Sequence, residues 1–387
     1  MTGSPQSAPQ PQEAALGTHF GLLSQQKIQI MLDRGMIKPA LPLSTGQLQP
    51  ASLDLRLGAK AYRVRASFLP GRGRTVAEQL ERLSSDVISL EGEGAVLERG
   101  CVYVVPLLES LHLPQTIAGI ANPKSSTGRL DIFTRLITDS SEVFDQAAVG
   151  YHGPLYAEVS PRSFSVRVRQ GSKLNQIRFR HLKPGQLHQN IFALKDADMV
   201  ARHALMPLVD GDLNLREGLV LRIALAQSAL GQVIGYRAQK YTDVIDVDRI
   251  DAYSIADFWD VIHARPDGRL ILDPGEFYIL ASQERVHIPP DLAAEMVAID
   301  PAMGEFRVHY AGFFDPGFGY TASGVPGSRA VLEVRSHEVP FVLEHEQIIG
   351  RLVFEPMAEE PEVLYGQTAI SNYQGQNLKL SKHFKMD

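Results

Sequence analysis

The chain is written twice. Leu97-Glu98-Arg99-Gly100 opens a stretch that returns at Leu272-Asp273-Pro274-Gly275, and His112, Pro114 and Glu158 return as His287, Pro289 and Glu333, each 175 positions later. An offset that stays constant across scattered positions means that two copies of one fold are laid end to end. Repeats of roughly 180 residues are too long for a solenoid array and long enough for each to bury its own core. The copies differ in one place that matters for chemistry. The first carries Lys124-Ser125-Ser126-Thr127-Gly128-Arg129, and the second reads Pro301-Ala302-Met303-Gly304-Glu305-Phe306-Arg307. Polar groups shared unequally between two copies suggest a site assembled from both.

Composition narrows the classes. Of the 387 residues, 44% are hydrophobic and 21% charged, which is ordinary for a globular protein. A formal charge of −6 gives no footprint for duplex nucleic acid. No apolar run approaches the length of a membrane span. Cys101 is the only cysteine, so no intrachain disulfide can form, which fits a reducing cytoplasm. Residues 1–19 are rich in Pro, Gln, Ser and Ala and read as a disordered tail without signal-peptide character.

Periodicity predicts a mainly β chain with a few short helices. Ser24 ahead of Gln25–Leu32 predicts an N-capped helix ending at Gly35. Ser52–Leu57 and Ser163–Arg169 alternate with period two, Val102–Val105 and Phe277–Leu280 are matched apolar runs, and Leu174–Phe179 parallels Ile349–Phe354. Each copy is expected to hold one helical insertion at the same place, Thr75–Leu83 in the first and Ser254–Ile262 in the second. The division between copies is expected near residue 205, giving repeats over 20–205 and 206–387. Two β-barrels or jelly rolls are the natural architecture.

Three groups of residues carry possible chemistry. Lys124–Arg129 combines two cations, three hydroxyls and a Gly, the donors that phosphate oxygens take, without the order of a Walker motif; it also reads as a polar turn. Glu158 and Glu333 each sit in an apolar strand. An inward-facing carboxyl there is either paired or has a raised pKa and can move protons, whereas an outward-facing one is a surface residue pairing with Arg162 or Arg335. Phe314-Asp315-Pro316-Gly317-Phe318-Gly319 is a turn presenting a carboxylate, and the tail carrying Tyr365, Asn372, Tyr373 and Gln376 either closes over a base or docks as a terminal strand. Zinc-dependent nucleobase deaminases need a His/Cys set that one cysteine cannot supply, and no H-E-x-x-H or G-x-S-x-G is present.

Taken together these motifs resemble the dCTP deaminase family of the dUTPase-like superfamily, in its long, internally duplicated form, over residues 20–387. Lys124–Arg129 resembles the family's phosphate loop. Asp315-Pro316-Gly317 followed by Val331-Leu332-Glu333 resembles its catalytic motif, and Tyr365, Asn372 and Gln376 fall where the family's tail contacts the nucleotide. The resemblance implies two tandem dUTPase-like (β-clip) barrels and hydrolysis of dCTP to dUTP without zinc. Glu333 or Glu158 would be the proton shuttle and Ser125 would orient the water. Lys124, Ser126, Thr127, Gly128 and Arg129 would hold a triphosphate carrying Mg²⁺, and sites would lie in a trimer-based homo-oligomer. A deaminase–diphosphatase yielding dUMP, a dUTP diphosphatase and a non-catalytic nucleotide sensor fit the same pocket. The chain departs from the pattern at Lys124, usually Arg, at Asn372, usually Lys, and at Phe144-Asp145-Gln146-Ala147, which replaces Asp-Pro-Gly in the first copy.

Overall fold

The computed structural model describes residues 16, 18–183, 192–298, 306–309, 312–320, 326–336, 338–367 and 372–385, and for residues 298 and 306–309 the backbone alone. Residues 1–15 and 17 of the expected tail, and residues 301–305 of the second copy's loop, lie outside the described residues. Leu16 is buried in the first half's core.

The duplication in the sequence is a duplication of strand register. In the first half Ile117–Pro123 pairs antiparallel with Lys173–His181, Ile117 opposite His181. In the second, Leu292–Ala298 pairs with Ile348–Pro356, Leu292 opposite Pro356, so both strands and their register recur 175 residues on. Val102–His112 lies between His152–Pro161 and Lys60–Val64. Its counterpart Phe277–Val286 lies between Ser328–Ser336 and Val233–Ala238. Ion pairs on a buried carboxylate repeat as well. The Arg56 backbone N–H and Nε donate to the two oxygens of Glu109 at 2.8 and 2.7 Å, and Arg222 does the same to Glu284 at 2.7 Å for both. Each half is a mainly β unit of stacked antiparallel sheets, the architecture that the sequence predicts.

Local expectations hold unevenly. The first helical insertion forms over Val76–Leu83 with a capping box, Glu78 N–H to the Thr75 hydroxyl and Thr75 N–H to the Glu78 carboxylate. The second does not. Ile255–Asp257 is a single 3₁₀ turn and Trp259–His263 is a strand. The aromatic and β-branched residues Phe258, Trp259, Val261 and Ile262 favour a pleated surface, and Trp259 is buried against Phe164, Phe277 and Phe384. Gln25–Asp33 is helical, but the Ser24 side chain makes no cap hydrogen bond; it donates to Glu359 instead at 2.9 Å. Of the alternating run Ser163–Arg169, Val166–Val168 is strand.

The halves are locked together. Ile245–Asp246, in a loop of the second half, adds parallel to Val166–Val168 of the first, and Arg169 grips Asp246 with a two-pronged hydrogen bond of 2.7 and 2.8 Å. One apolar core is common to both, joining Tyr103, Val105 and Phe164 to Trp259, Phe277, Val331 and Phe384. Arg180 and Glu355, themselves related by the 175-residue offset, meet face to face as a buried ion pair, Arg180 Nε donating to Glu355 Oε2 at 2.8 Å. Among the described residues no helix is long and apolar enough to cross a membrane.

Candidate active site

The site grows from the end of the Ile117–Pro123 strand. Pro123 ends the ladder, Lys124 stays extended, and Ser125–Gly128 form one helical turn closed by hydrogen bonds from the N–H groups of Thr127 and Gly128 to the Lys124 carbonyl at 2.8 and 2.9 Å. The turn places Lys124, Ser125, Ser126, Gly128 and Arg129 on a cavity of about 390 Å³ between the two halves. Thr127 is buried and does not line the cavity. Lys124 pairs with the buried Asp54.

The second half supplies the opposite wall. Val331 and Glu333 line the cavity while Leu332 between them is fully buried in the second half's core, as side-chain alternation along a strand requires. Glu333 is only 4% exposed, and burial pushes its carboxyl up to about 8 in spite of the neighbouring Arg129 cation. The Asp315 turn reaches the same space, its carboxylate accepting from Arg178 Nη2 of the first half at 2.7 Å. Gly317 in that turn has φ 96°, and a Cβ there would stand 2.8 Å from Leu364 Cβ. The absent side chain lets the tail pack on the turn, with Tyr365 N–H donating to the Pro316 carbonyl at 2.8 Å.

Arg129 ties the walls together. It is buried, its guanidinium lies 3.8 Å over the Tyr373 ring, and Nη1 donates to Gln376 Oε1 at 3.1 Å and to the Lys379 carbonyl at 2.8 Å. Gln376 in turn donates to the Arg329 carbonyl at 2.9 Å. Tyr365, Asn372, Tyr373 and Gln376 all line the cavity. The tail then continues along the first half, where the Ser381 hydroxyl donates to the Ser126 carbonyl at 2.7 Å, and sets Phe384 in the shared aromatic core.

Glu158 stands elsewhere. It does not line this cavity. It is buried in the first half, where desolvation pushes its carboxyl upward. Asp145, which the sequence sets in the place of Asp315, is occupied by Arg135 and by the Leu136 N–H at 2.7 Å, and burial pushes it up to about 6; strand register, with Ala147 opposite Gly119 and Phe314 opposite Ala294, instead makes Ala148 the counterpart of Asp315. Arg335 pairs with Asp131 of the first half, so the surface pairing that an outward-facing Glu333 would make does not form.

The cavity has a polar arm that the motifs did not reveal, lined by Thr45, Gln49, Asp54, Lys173, Asp248 and Lys382. Lys173 belongs to a strand whose pattern signals only a sheet, and Lys382 follows the last recognisable tail residue by six positions. Nothing local in the sequence marks either. Among the described residues no group of three His, Cys, Asp or Glu side chains gathers in a way that could hold a metal ion.

Comparison with known proteins now decides the family. The model of the 2'-deoxycytidine 5'-triphosphate deaminase N-terminal domain matches residues 19–183, and that of the C-terminal domain matches residues 195–384. The crystal structure of 2'-deoxycytidine 5'-triphosphate deaminase from Agrobacterium tumefaciens is 53% identical, with a TM-score of 0.83, covering 89% of this chain and 100% of that one. The chain belongs to the dCTP deaminase family. More distant relatives align with part of it. A dCTP deaminase from Actinobacillus succinogenes is 33% identical over 120 residues, 30% of this chain and 62% of the relative. A protein from Halobacterium salinarum named "dCTP deaminase, dUMP-forming" is 28% identical over 192 residues, 48% of this chain and 90% of the relative. The dCTP deaminase fold is thus present as two family domains in one polypeptide.

Proposed function

We propose that this dCTP deaminase family enzyme hydrolyses dCTP to dUTP and ammonia without zinc, with Glu333 as the proton shuttle. The observation that carries the reading is a buried carboxyl whose pKa is raised to about 8, facing a cavity whose other wall holds two cations and two hydroxyls. The single cysteine supports chemistry without a Cys-based zinc site.

At neutral pH Glu333 is mostly protonated and begins as an acid. It protonates N3 of the cytosine, and its carboxylate then takes a proton from water as the water oxygen bonds to C4. The regained proton goes to the exocyclic amine, the C4–N bond breaks and ammonia leaves. The remaining hydroxyl proton returns to Glu333 as the C4 carbonyl forms. Proton transfer by a placed group contributes roughly 10²- to 10⁴-fold. Ser125 on the facing turn holds the water, and Lys124, Ser126 and Arg129 hold the triphosphate. Mg²⁺ would come with the triphosphate as part of the substrate. Binding the remote phosphates orients the base for reaction.

A second reading has its own support, since several relatives are named dUMP-forming. A site that also cleaves the phosphate chain would give dUMP and pyrophosphate. Incubation with dCTP and, separately, with dUTP distinguishes the two. Ammonia from dCTP with no pyrophosphate from either substrate is the expected result. Pyrophosphate from dUTP would establish the second reading, and no ammonia from dCTP would refute both.

A further inference from the structure

We propose that Arg178 of the first half is a positioning residue for the nucleoside end of the site: it aims the Asp315 carboxylate of the second half into the cavity. The proposal rests on the deaminase reading for the identity of the nucleotide and adds to it a residue that acts from the other copy without touching the ligand.

Arg178 stands on the strand Lys173–His181, is 2% exposed and does not line the cavity. It reaches across the boundary between copies. Nη2 donates to Asp315 Oδ1 at 2.7 Å, Nη1 donates to the Ala294 carbonyl at 3.1 Å, and the guanidinium lies 4.1 Å over the Phe313 ring. Ala294 is paired with Phe314 in the strand ladder, so the guanidinium grips the root of the Asp315 turn and its carboxylate together. Arg178 takes one carboxylate oxygen. Among the described residues the Asp315 side chain makes no other hydrogen bond. Asp315 lines the cavity, and its second oxygen, Oδ2, is left to it. A fixed acceptor of this kind takes a hydroxyl or amino group and repels phosphate, which assigns this end to the nucleoside.

Comparison of the two copies separates this role from a structural one. By strand register Val353 is the counterpart of Arg178, as Ala148 is of Asp315. Cation and carboxylate are absent together at the equivalent places, and the fold forms there without them. Arg178 is also a costly residue to bury. Its Nε has no acceptor among the described residues, and a desolvated guanidinium carries a penalty that a valine does not. A local rule broken in one copy only, beside the cavity, is what function and not folding maintains.

The test is a double-mutant cycle on the full chain, with Arg178→Val, Asp315→Ala and the double variant, which carries the residues of the other copy. Titration calorimetry with dCTP reads binding, and ammonia release reads turnover. Each single variant is expected to bind dCTP about 10-fold more weakly, the loss of one charge-assisted contact. In Arg178→Val the rise is expected in KM, with kcat changed less than about 3-fold, because a group that holds the nucleoside acts on ground and transition states alike. The double variant is expected within about 3-fold of Asp315→Ala, since Arg178 acts only through that carboxylate. Thermal unfolding of the same samples identifies a variant that has lost its fold. If Arg178→Val is that variant, the double variant, which has no unpaired charge, is compared with Asp315→Ala and decides. Unchanged dCTP affinity in folded Arg178→Val overturns the proposal. So does a double variant about 10-fold weaker than Asp315→Ala, which would make Arg178 a staple between the halves. If wild type binds dCTP and releases no ammonia while the cycle is non-additive, Arg178 keeps its role and the deaminase reading fails. Wild type that does not bind dCTP overturns both.

Discussion

Arg129 Nε of the first half lies 3.9 Å from Glu333 Oε1 of the second. The contact is too long for a hydrogen bond, and it joins the buried cation of the Lys124–Arg129 turn to a carboxyl that burial lifts to about 8. Arg129 and Glu333, proposed to hold phosphate and to move protons, therefore sense each other across the boundary between copies.

Glu333→Gln keeps the shape of the side chain and removes its acid–base function. Turnover of dCTP is expected to fall by at least about 10²-fold with nucleotide affinity retained. Glu158→Gln, lying off the cavity, is expected to change turnover far less. Single-turnover rates with binding measured separately compare the two. A dead Glu158→Gln beside an active Glu333→Gln would reverse the assignment.

Stability should move oppositely to activity at the same residue. The Glu333 pKa is raised from 4.5 unfolded to about 8 folded, so the folded state holds the extra proton between those values and stability falls as pH rises through that window. Glu333→Gln removes this dependence. Its melting temperature is expected to exceed that of wild type at pH 8 and to converge on it near pH 4. A variant less stable than wild type at pH 8 would argue against a buried, neutral Glu333.

Arg129→Ala deletes a cation that lowers the Glu333 pKa and also the anchor of the tail at Gln376 and Lys379. The acidic group in the pH–rate profile is expected to shift upward. Amide hydrogens of residues 372–385 are expected to exchange faster. Binding of dCTP should weaken roughly 10- to 150-fold. A profile that does not move would separate Arg129 from the proton shuttle.

Arg180 and Glu355 hold the halves together as a buried pair. Arg180→Met leaves Glu355 without this partner and is expected to cost about 3–5 kcal/mol in denaturant unfolding. Arg180→Met with Glu355→Leu should recover much of it. A single variant within about 0.5 kcal/mol of wild type would show that the pair adds nothing to the interface.

Phe384→Ala tests whether the tail's end clamps the site. The ring packs against Tyr253, Phe258 and Trp259, and its loss is expected to cost about 3–5 kcal/mol if the whole core responds. Loss of dCTP affinity without a comparable loss of global stability would instead mean that the tail detaches by itself.

The sequence by itself determined the duplication, the mainly β class and the turn over Lys124–Arg129, because strand period, register and turn chemistry are written in neighbouring positions. It also determined that Glu158 and Glu333 occupy equivalent places, but equivalence is all that an offset can show. Tertiary structure decided which of the two faces the cavity, since that depends on what the other half brings: the Lys124–Arg129 turn opposite Glu333, the Arg135–Asp145 pair near Glu158. It turned Ser254–Ile262 from an expected helix into a 3₁₀ turn and a strand, because Trp259 is needed in a core shared by both halves. It also brought Lys173 and Lys382 into one arm across 209 positions of chain. No local pattern records a contact of that range, because long-range packing chooses it and the intervening sequence does not.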